Sequence, residues 1–91
     1  MSSVLVEQFP SPMKLEVLGV EDWPVVAESV GLIERTVEVT ETSYIASGAG
    51  EITVKGEPTV QFAAGDLVTV MPHTQCVWNI TEAIERHYYK G

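Results

Sequence analysis

From Leu32 to the end, the chain is cut into short runs that alternate apolar and polar residues, with a turn signal every eight to twelve residues. A run of four to seven residues with period two is a strand with one buried face. Several such strands joined by tight turns form a sandwich or a barrel, because each strand needs partners for its backbone groups and a core for its apolar face. "LIERTVEVT" places Val37 and Val39 on one face and Glu38 and Thr40 on the other. "SYIASGAGEITV" reads as two strand-like halves around Gly48 and Gly50. "KGEP" is a hairpin turn, "TVQF" a short strand, and "AAGD" a second turn. "LVTVM" follows, ending at the Pro72 turn; "QCVWNI" alternates again and "IERHYY" closes the pattern.

Before Leu32 the texture differs. Residues 1–20 read as an N-terminal arm, with an edge strand at Val4–Glu7 and then extended chain through "FPSPM" and its two prolines. "EDWPVVAES" is the only helix candidate: Asp22 can cap it, Pro24 suits a first turn, and Val25, Val26 and Val30 make an apolar stripe that stops at Gly31. The expectation is one all-β domain over residues 1–91, with the barrel over 32–91 and at most one short N-terminal helix.

Ninety-one residues is near the small end of what folds alone. Thirteen acidic residues against five basic ones give a formal charge of -8. Such a surface repels phosphate backbones and anionic lipid, which argues against nucleic acid and membrane partners. It also keeps a small β protein soluble. The single cysteine, Cys76, forms no internal disulfide, in keeping with a reducing compartment. No run approaches the roughly 18 apolar residues needed to span a bilayer, and "MSSVLVEQFPSPMKL" lacks the basic start and apolar block of a secretory signal. A cytoplasmic location is the expectation.

The turns and strands together resemble the cupins, small double-stranded β-helix (jelly-roll) barrels. The similarity is to the short single-domain branch grouped with ethanolamine-utilisation Q-type proteins and ureidoglycine aminohydrolases. It runs from about Glu21 to Tyr89 and is carried by "EDWP", "ETSYIASGAGEITVKG", "GDLVTVMP" and "CVWNITEAIERHYY". Gly65-Asp66 suits a turn with positive φ whose Asp bonds nearby backbone N–H groups. Gly48 stands where a strand must bend or admit another backbone.

In metal-binding cupins the resemblance implies a His-x-His pair, a Glu several residues before a Gly, and a later His. Glu41 matches the Glu position, since six residues separate it from Gly48. The His-x-His positions fall within "ERTV", Glu34 to Val37, which has no histidine, and the later His position falls at Cys76. A carboxylate and a thiol fall short of the three or four ligands a first-row metal takes. The expectation is no metal cofactor; if a divalent ion such as Mn, Zn or Fe binds, Glu41 and Cys76 are its ligands. His73, in the Pro72–Thr74 turn, points to solvent on this reading, and His87 lies on the last strand.

The ligand-pocket candidates are Glu41, Tyr44, Cys76 and Trp78. Glu41 is either a lumen carboxylate with a shifted pKa or a solvated strand-end residue. Cys76 is either a pocket thiol or a small buried apolar residue. Cys76 and Trp78 share a face, two residues apart. Tyr44, three after Glu41, falls on the opposite face unless a bulge intervenes. Trp78 is core or pocket floor, and Trp23 anchors the N-terminal segment over the barrel. Arg86, near Glu82 and Glu85, suits exposed ion pairs of little energetic weight. Three functions compete. The first is a small-molecule-binding cupin with a degenerate metal site. The second is an enzyme acting on a small amine, ureide or acyl compound. The third is a structural module that forms a homodimer through its arm.

Overall fold

The computed structural model describes residues 2–91. Seven strands appear in chain order: β1 (Val4–Glu7), β2 (Val25–Glu28), β3 (Gly31–Val37), β4 (Glu41–Thr53), β5 (Val60–Ala63), β6 (Leu67–Val70) and β7 (Thr74–Lys90). One helix, α1 (Pro12–Leu18), and a single 3-10 turn (Val20–Asp22) precede β2. All strand pairs are antiparallel. The outcome is the all-β jelly roll with one short N-terminal helix that the sequence pattern indicated.

Two long strands organise the barrel. The first part of β4, Glu41 to Ile45, lies between β6 and the end of β7. Its second part, Ala49 to Ile52, lies between β5 and the middle of β7. The strand β7 in turn pairs with β3 through its first half and β2 through its second. One layer is therefore β1-β6-β4-β7-β2 and the other β5-β4-β7-β3. The chain passes between layers where β4 shifts register against β7, from Ile45 to Gly50. Bulges of this kind bend a strand. Glycine is required at that corner: Gly48 has φ +88°, and a Cβ there would lie 2.3 Å from the Ala83 carbonyl oxygen. The two strand-like halves around Gly48 and Gly50 are thus one bent strand, and "QCVWNI" and "IERHYY" are likewise one.

Inward positions of both layers meet in a single core. Val37, Ile45, Ile52, Phe62, Val68, Val70, Trp78, Ile80 and Ile84 pack together there. The Phe62 and Trp78 rings sit 5.3 Å apart, centroid to centroid. At the Gly65-Asp66 turn, Gly65 takes φ +96°, and Asp66 Oδ2 accepts from the Ala63 N–H at 2.9 Å.

The helix is not where the sequence placed it. "EDWPVVAES" gives the 3-10 turn, a Trp23-Pro24 link and strand β2. Two adjacent valines favour a strand, and β2 gains a full backbone ladder from Ile84–His87. The helix instead starts in the proline-bearing arm read as extended chain. Ser11 caps it by accepting from the Lys14 N–H at 3.2 Å, Pro12 opens the first turn, and Gly19 closes it at φ 75°. The edge strand at Val4–Glu7 is present and pairs with β6. Among the described residues no helix is long and apolar enough to cross a membrane.

Candidate functional site

Alternation decides which side chains enter the lumen. On β4, Glu41, Ser43 and Ile45 point inward; on β7, Cys76, Trp78, Ile80, Ile84 and Arg86 do. On β3, Arg35 is in phase with buried Val37 and directly opposite Cys76. These registers gather two arginines, two glutamates, a serine, a thiol and an indole at one end of the core.

Glu41 is the hub. Its side chain is 2% exposed. Arg35 Nη2 donates to Oε2 at 2.8 Å, and Arg35 Nη1 lies 2.7 Å from Oε1, close in charge but without hydrogen-bond alignment. Arg86 Nη1 donates to Glu41 Oε1 at 3.2 Å and to Ser43 Oγ at 2.9 Å. The other side of the Arg86 guanidinium forks onto Glu28, Nε to Oε2 at 3.2 Å and Nη2 to Oε1 at 3.5 Å. The chain Arg35–Glu41–Arg86–Glu28 joins β3, β4, β7 and β2 across the lumen. Both guanidiniums also lie over the Trp78 indole, Cζ to centroid 5.3 Å for Arg35 and 5.2 Å for Arg86. Desolvated contacts of this type contribute up to about 2 kcal/mol.

Burial alone would raise the Glu41 pKa, but the Arg35 bond and the charges of Arg35, Arg86 and Lys90 prevail and hold the carboxyl below its ordinary value. Burial alone would weaken the Arg35 charge, and the bond to Glu41 outweighs it, so its pKa rises. The Cys76 thiol goes the other way. Burial pushes it up, and the neighbouring Trp78 indole N–H and the Arg35 charge only partly oppose this. Cys76 is therefore a neutral thiol at physiological pH, a poor nucleophile. Trp78 Nε1 lies beside that sulfur yet has no partner at hydrogen-bond geometry, and Arg35 Nη1 has no aligned acceptor.

The EutQ-like cupin domain model matches residues 15–88. The chain belongs to that family. It is similar to a DUF861 family protein of known structure from Thermotoga maritima, at 33% identity and a TM-score of 0.92, with 97% of this chain and 99% of that one covered. A EutQ protein from Clostridium difficile matches at 14% identity and a TM-score of 0.65, covering 97% of this chain and 71% of that one. A putative ethanolamine utilization protein Q from Salmonella typhimurium matches at 14% and 0.64, covering 96% of this chain and 56% of that one. These last two similarities are of fold. No curated protein matches.

A divalent metal does not fit this EutQ-like cupin. The span where the resemblance implies a His-x-His pair, Glu34 to Val37, has no histidine, and its Arg35 faces Cys76, which stands at the later His position. Both oxygens of Glu41, the remaining ligand position, are held by guanidiniums. A cation entering there would meet two fixed positive charges and lose the carboxylate to them. Among the described residues no group of three or more His, Cys, Asp or Glu side chains is placed to hold a metal. His73 is on the rim, with a side chain 80% exposed, near Glu38. His87 is on the outer face of β7 with Nδ1 3.1 Å from the Val20 carbonyl oxygen. A carbonyl only accepts, so Nδ1 carries the proton.

Of the four pocket candidates, the fold brings Glu41, Cys76 and Trp78 together and separates Tyr44. Tyr44 is on the outer face, edge-on to His87 at 6.2 Å, lining a cleft of about 710 Å³ beneath α1. Trp23 does pin the N-terminal segment, its ring 5.7 Å from Tyr89. Sequence reasoning missed Arg35, Arg86, Ser43 and Glu28. The signal was the alternation itself: Arg86 is two residues after buried Ile84, and Arg35 two before buried Val37. Arg86 forms no exposed pair with Glu82 or Glu85; it is 4% exposed and paired inside.

Proposed function

We propose that this EutQ-like cupin binds a small molecule at the lumen corner formed by Arg35, Cys76 and Trp78, using guanidinium and indole donors where metal-binding cupins use an ion. The observation that carries the reading is the wholly buried Trp78 indole N–H left without an acceptor. A buried donor of this kind calls for a partner, because leaving it unmet costs about 1–3 kcal/mol. Arg35 and Cys76 line a surface cleft of about 630 Å³ together with Glu34, Thr53, Lys55 and Gln75, and this is the side from which a ligand enters.

Binding is favoured over proton transfer. A carboxylate held below its ordinary pKa and paired on both oxygens is a weak base, and Cys76 is not activated as a nucleophile. The test is a metabolite screen by thermal shift, followed by titration of the wild type, Arg35→Lys and Trp78→Phe. Ligands of the wild type that raise its melting temperature and lose that effect in both variants support the reading. Ligands whose effect survives both substitutions place the site elsewhere.

A further inference from the structure

The strand β1 ends its layer, with β6 on one side and, among the described residues, no strand paired to it on the other. Register fixes which of its backbone groups face that open side. The Met71 N–H donates to the Ser3 carbonyl at 2.8 Å, so Ser3 and Met71 are a hydrogen-bonded pair of the antiparallel ladder. Such pairs alternate with non-bonded ones. Leu5 and Glu7 therefore also bond β6, opposite Thr69 and Leu67, while Val4 and Val6 turn their N–H and C=O groups outward. Two donors and two acceptors thus stand along one edge, a template for another strand. Val4–Glu7 holds no lysine, proline or bulge to guard that edge, and its one charge, Glu7, is paired with Lys14.

Charge admits a second copy of this chain there. The first fourteen residues carry one acid, Glu7, and one base, Lys14, so the whole formal charge of -8 lies beyond them. At the other end of the same layer, residues 20–34 carry Glu21, Asp22, Glu28 and Glu34 and no base. A copy is repelled from the β2 edge and meets no net charge at β1. The strand is also complementary to itself. With a two-fold axis at Leu5, Val4 lies opposite the partner's Val6, and the outward N–H and C=O groups of both close four hydrogen bonds. Glu7 then falls opposite the partner's Ser3 rather than another carboxylate. Leu5, 53% exposed on the outer face, meets the partner's Leu5 as a non-hydrogen-bonded pair, in which side chains approach most closely. Moving the axis one residue either way would set Leu5 against Ser3 or Glu7.

We propose that two copies of this chain associate through β1, antiparallel about a two-fold axis at Leu5, so that the layer β1-β6-β4-β7-β2 of one continues into that of the other. Beneath the new ladder, Val4 and Val6 already pack on the core, and the Leu5 pair covers its outer face. Arg35, Cys76 and Trp78 are on β3 and β7. Association at β1 therefore stands or falls separately from ligand binding at their corner.

The experiment is sedimentation equilibrium of the full chain over a concentration series, where a reversible dimer is expected. Leu5→Lys sets like charges opposite each other at the axis and, being on the exposed face, leaves the fold intact. Val6→Pro removes an outward N–H and keeps the ladder to β6 whole. Each should weaken the dimer at least about tenfold; should the proline unfold the arm, Leu5→Lys alone decides. Leu5→Cys reads the register. Cα atoms of a non-hydrogen-bonded pair lie about 4.5 Å apart, inside the disulfide span of about 4.4–6.8 Å. Under mild oxidation Leu5→Cys should form a linked dimer at least about tenfold faster than Val25→Cys, which is as exposed but on β2 at the far edge. The proposal is overturned by a chain that stays monomeric up to about 1 mM, by a dimer that Leu5→Lys leaves at full strength, or by equal rates at the two cysteines.

Discussion

Arg86 and Glu41 meet at 3.2 Å across 45 residues of chain, with side chains 5% and 2% exposed. So complete a burial makes the pair costly to break singly. Glu41→Gln leaves two guanidiniums facing one carboxylate, and a loss of about 3–5 kcal/mol is expected from urea unfolding. Arg86→Met should cost a similar amount. The double variant should lose less than the two singles combined, since it strands fewer uncompensated charges. Strict additivity would show that the two residues do not act on each other.

The same pairing sets the response to acid. Glu41 titrates lower in the folded chain than in the unfolded one. The unfolded chain therefore binds more protons through the acid range, and stability falls as pH falls. The contribution is whole above the ordinary carboxylate value and is lost as pH passes down through the folded one. Glu57, held down by its two bonds to Ser3, adds a smaller component of the same sign. Melting curves at stepped pH should show a shallower acid slope in Glu41→Gln than in wild type, with Glu57→Gln changing it less. An unchanged slope in Glu41→Gln would mean the carboxyl is not depressed.

Cys76 should be slow to react. Its thiol is buried and its pKa raised. Iodoacetamide at neutral pH should modify the native protein at least about tenfold more slowly than the urea-unfolded chain, in keeping with the low thiolate fraction. Equal rates would place the thiol at the surface.

Divalent metals should not stabilise the fold. Mn²⁺ or Zn²⁺ at saturating concentration should leave the melting temperature of untagged protein unchanged, whereas a ligand at 100 times its Kd would add about 2.7 kcal/mol. Stoichiometric metal that is lost on Glu41→Ala would show that the guanidiniums yield to a cation.

At Gly48 the predicted effect is steric as well as torsional. An added Cβ meets the Ala83 carbonyl oxygen at 2.3 Å and Ile84 Cγ2 at 2.7 Å. Gly48→Ala should lose more than about 3 kcal/mol or fail to fold. Gly56→Ala shares the positive φ, at +82°, but meets nothing within 4 Å. It should cost only the torsional strain of about 1–2 kcal/mol. Similar losses at both sites would assign the Gly48 requirement to its backbone angle alone.

The barrel was legible because strand signals are local. Alternation and turn residues marked β1 and β3 to β7, and the Gly65-Asp66 turn followed from its chemistry. The helix was misplaced because two signals competed on each side. Ser11-Pro12 is a capping pair as well as a proline-rich stretch, and Pro24-Val25-Val26 supports a strand once β7 offers it a ladder. The site was half legible. Glu41, Cys76 and Trp78 could be assigned from the resemblance and from phase. Arg86 suits an exposed ion pair by its local sequence, and Arg35 gives no local sign of a role. Their burial depends on each other and on Glu41 and Glu28, and partnerships across as many as 58 residues leave no local trace.

Among the described residues, the strands β2 and β3 pair with nothing but β7. The residues that partner β3, Thr74–Ile80, and those that partner β2, Ile84–His87, all follow the other strands in the chain. Arg35 emerges with its β3 neighbours, and the residues opposite it are among those still to be translated. The corner around Trp78 can therefore close only once β7 lies in its place between β4 and the β2 and β3 strands.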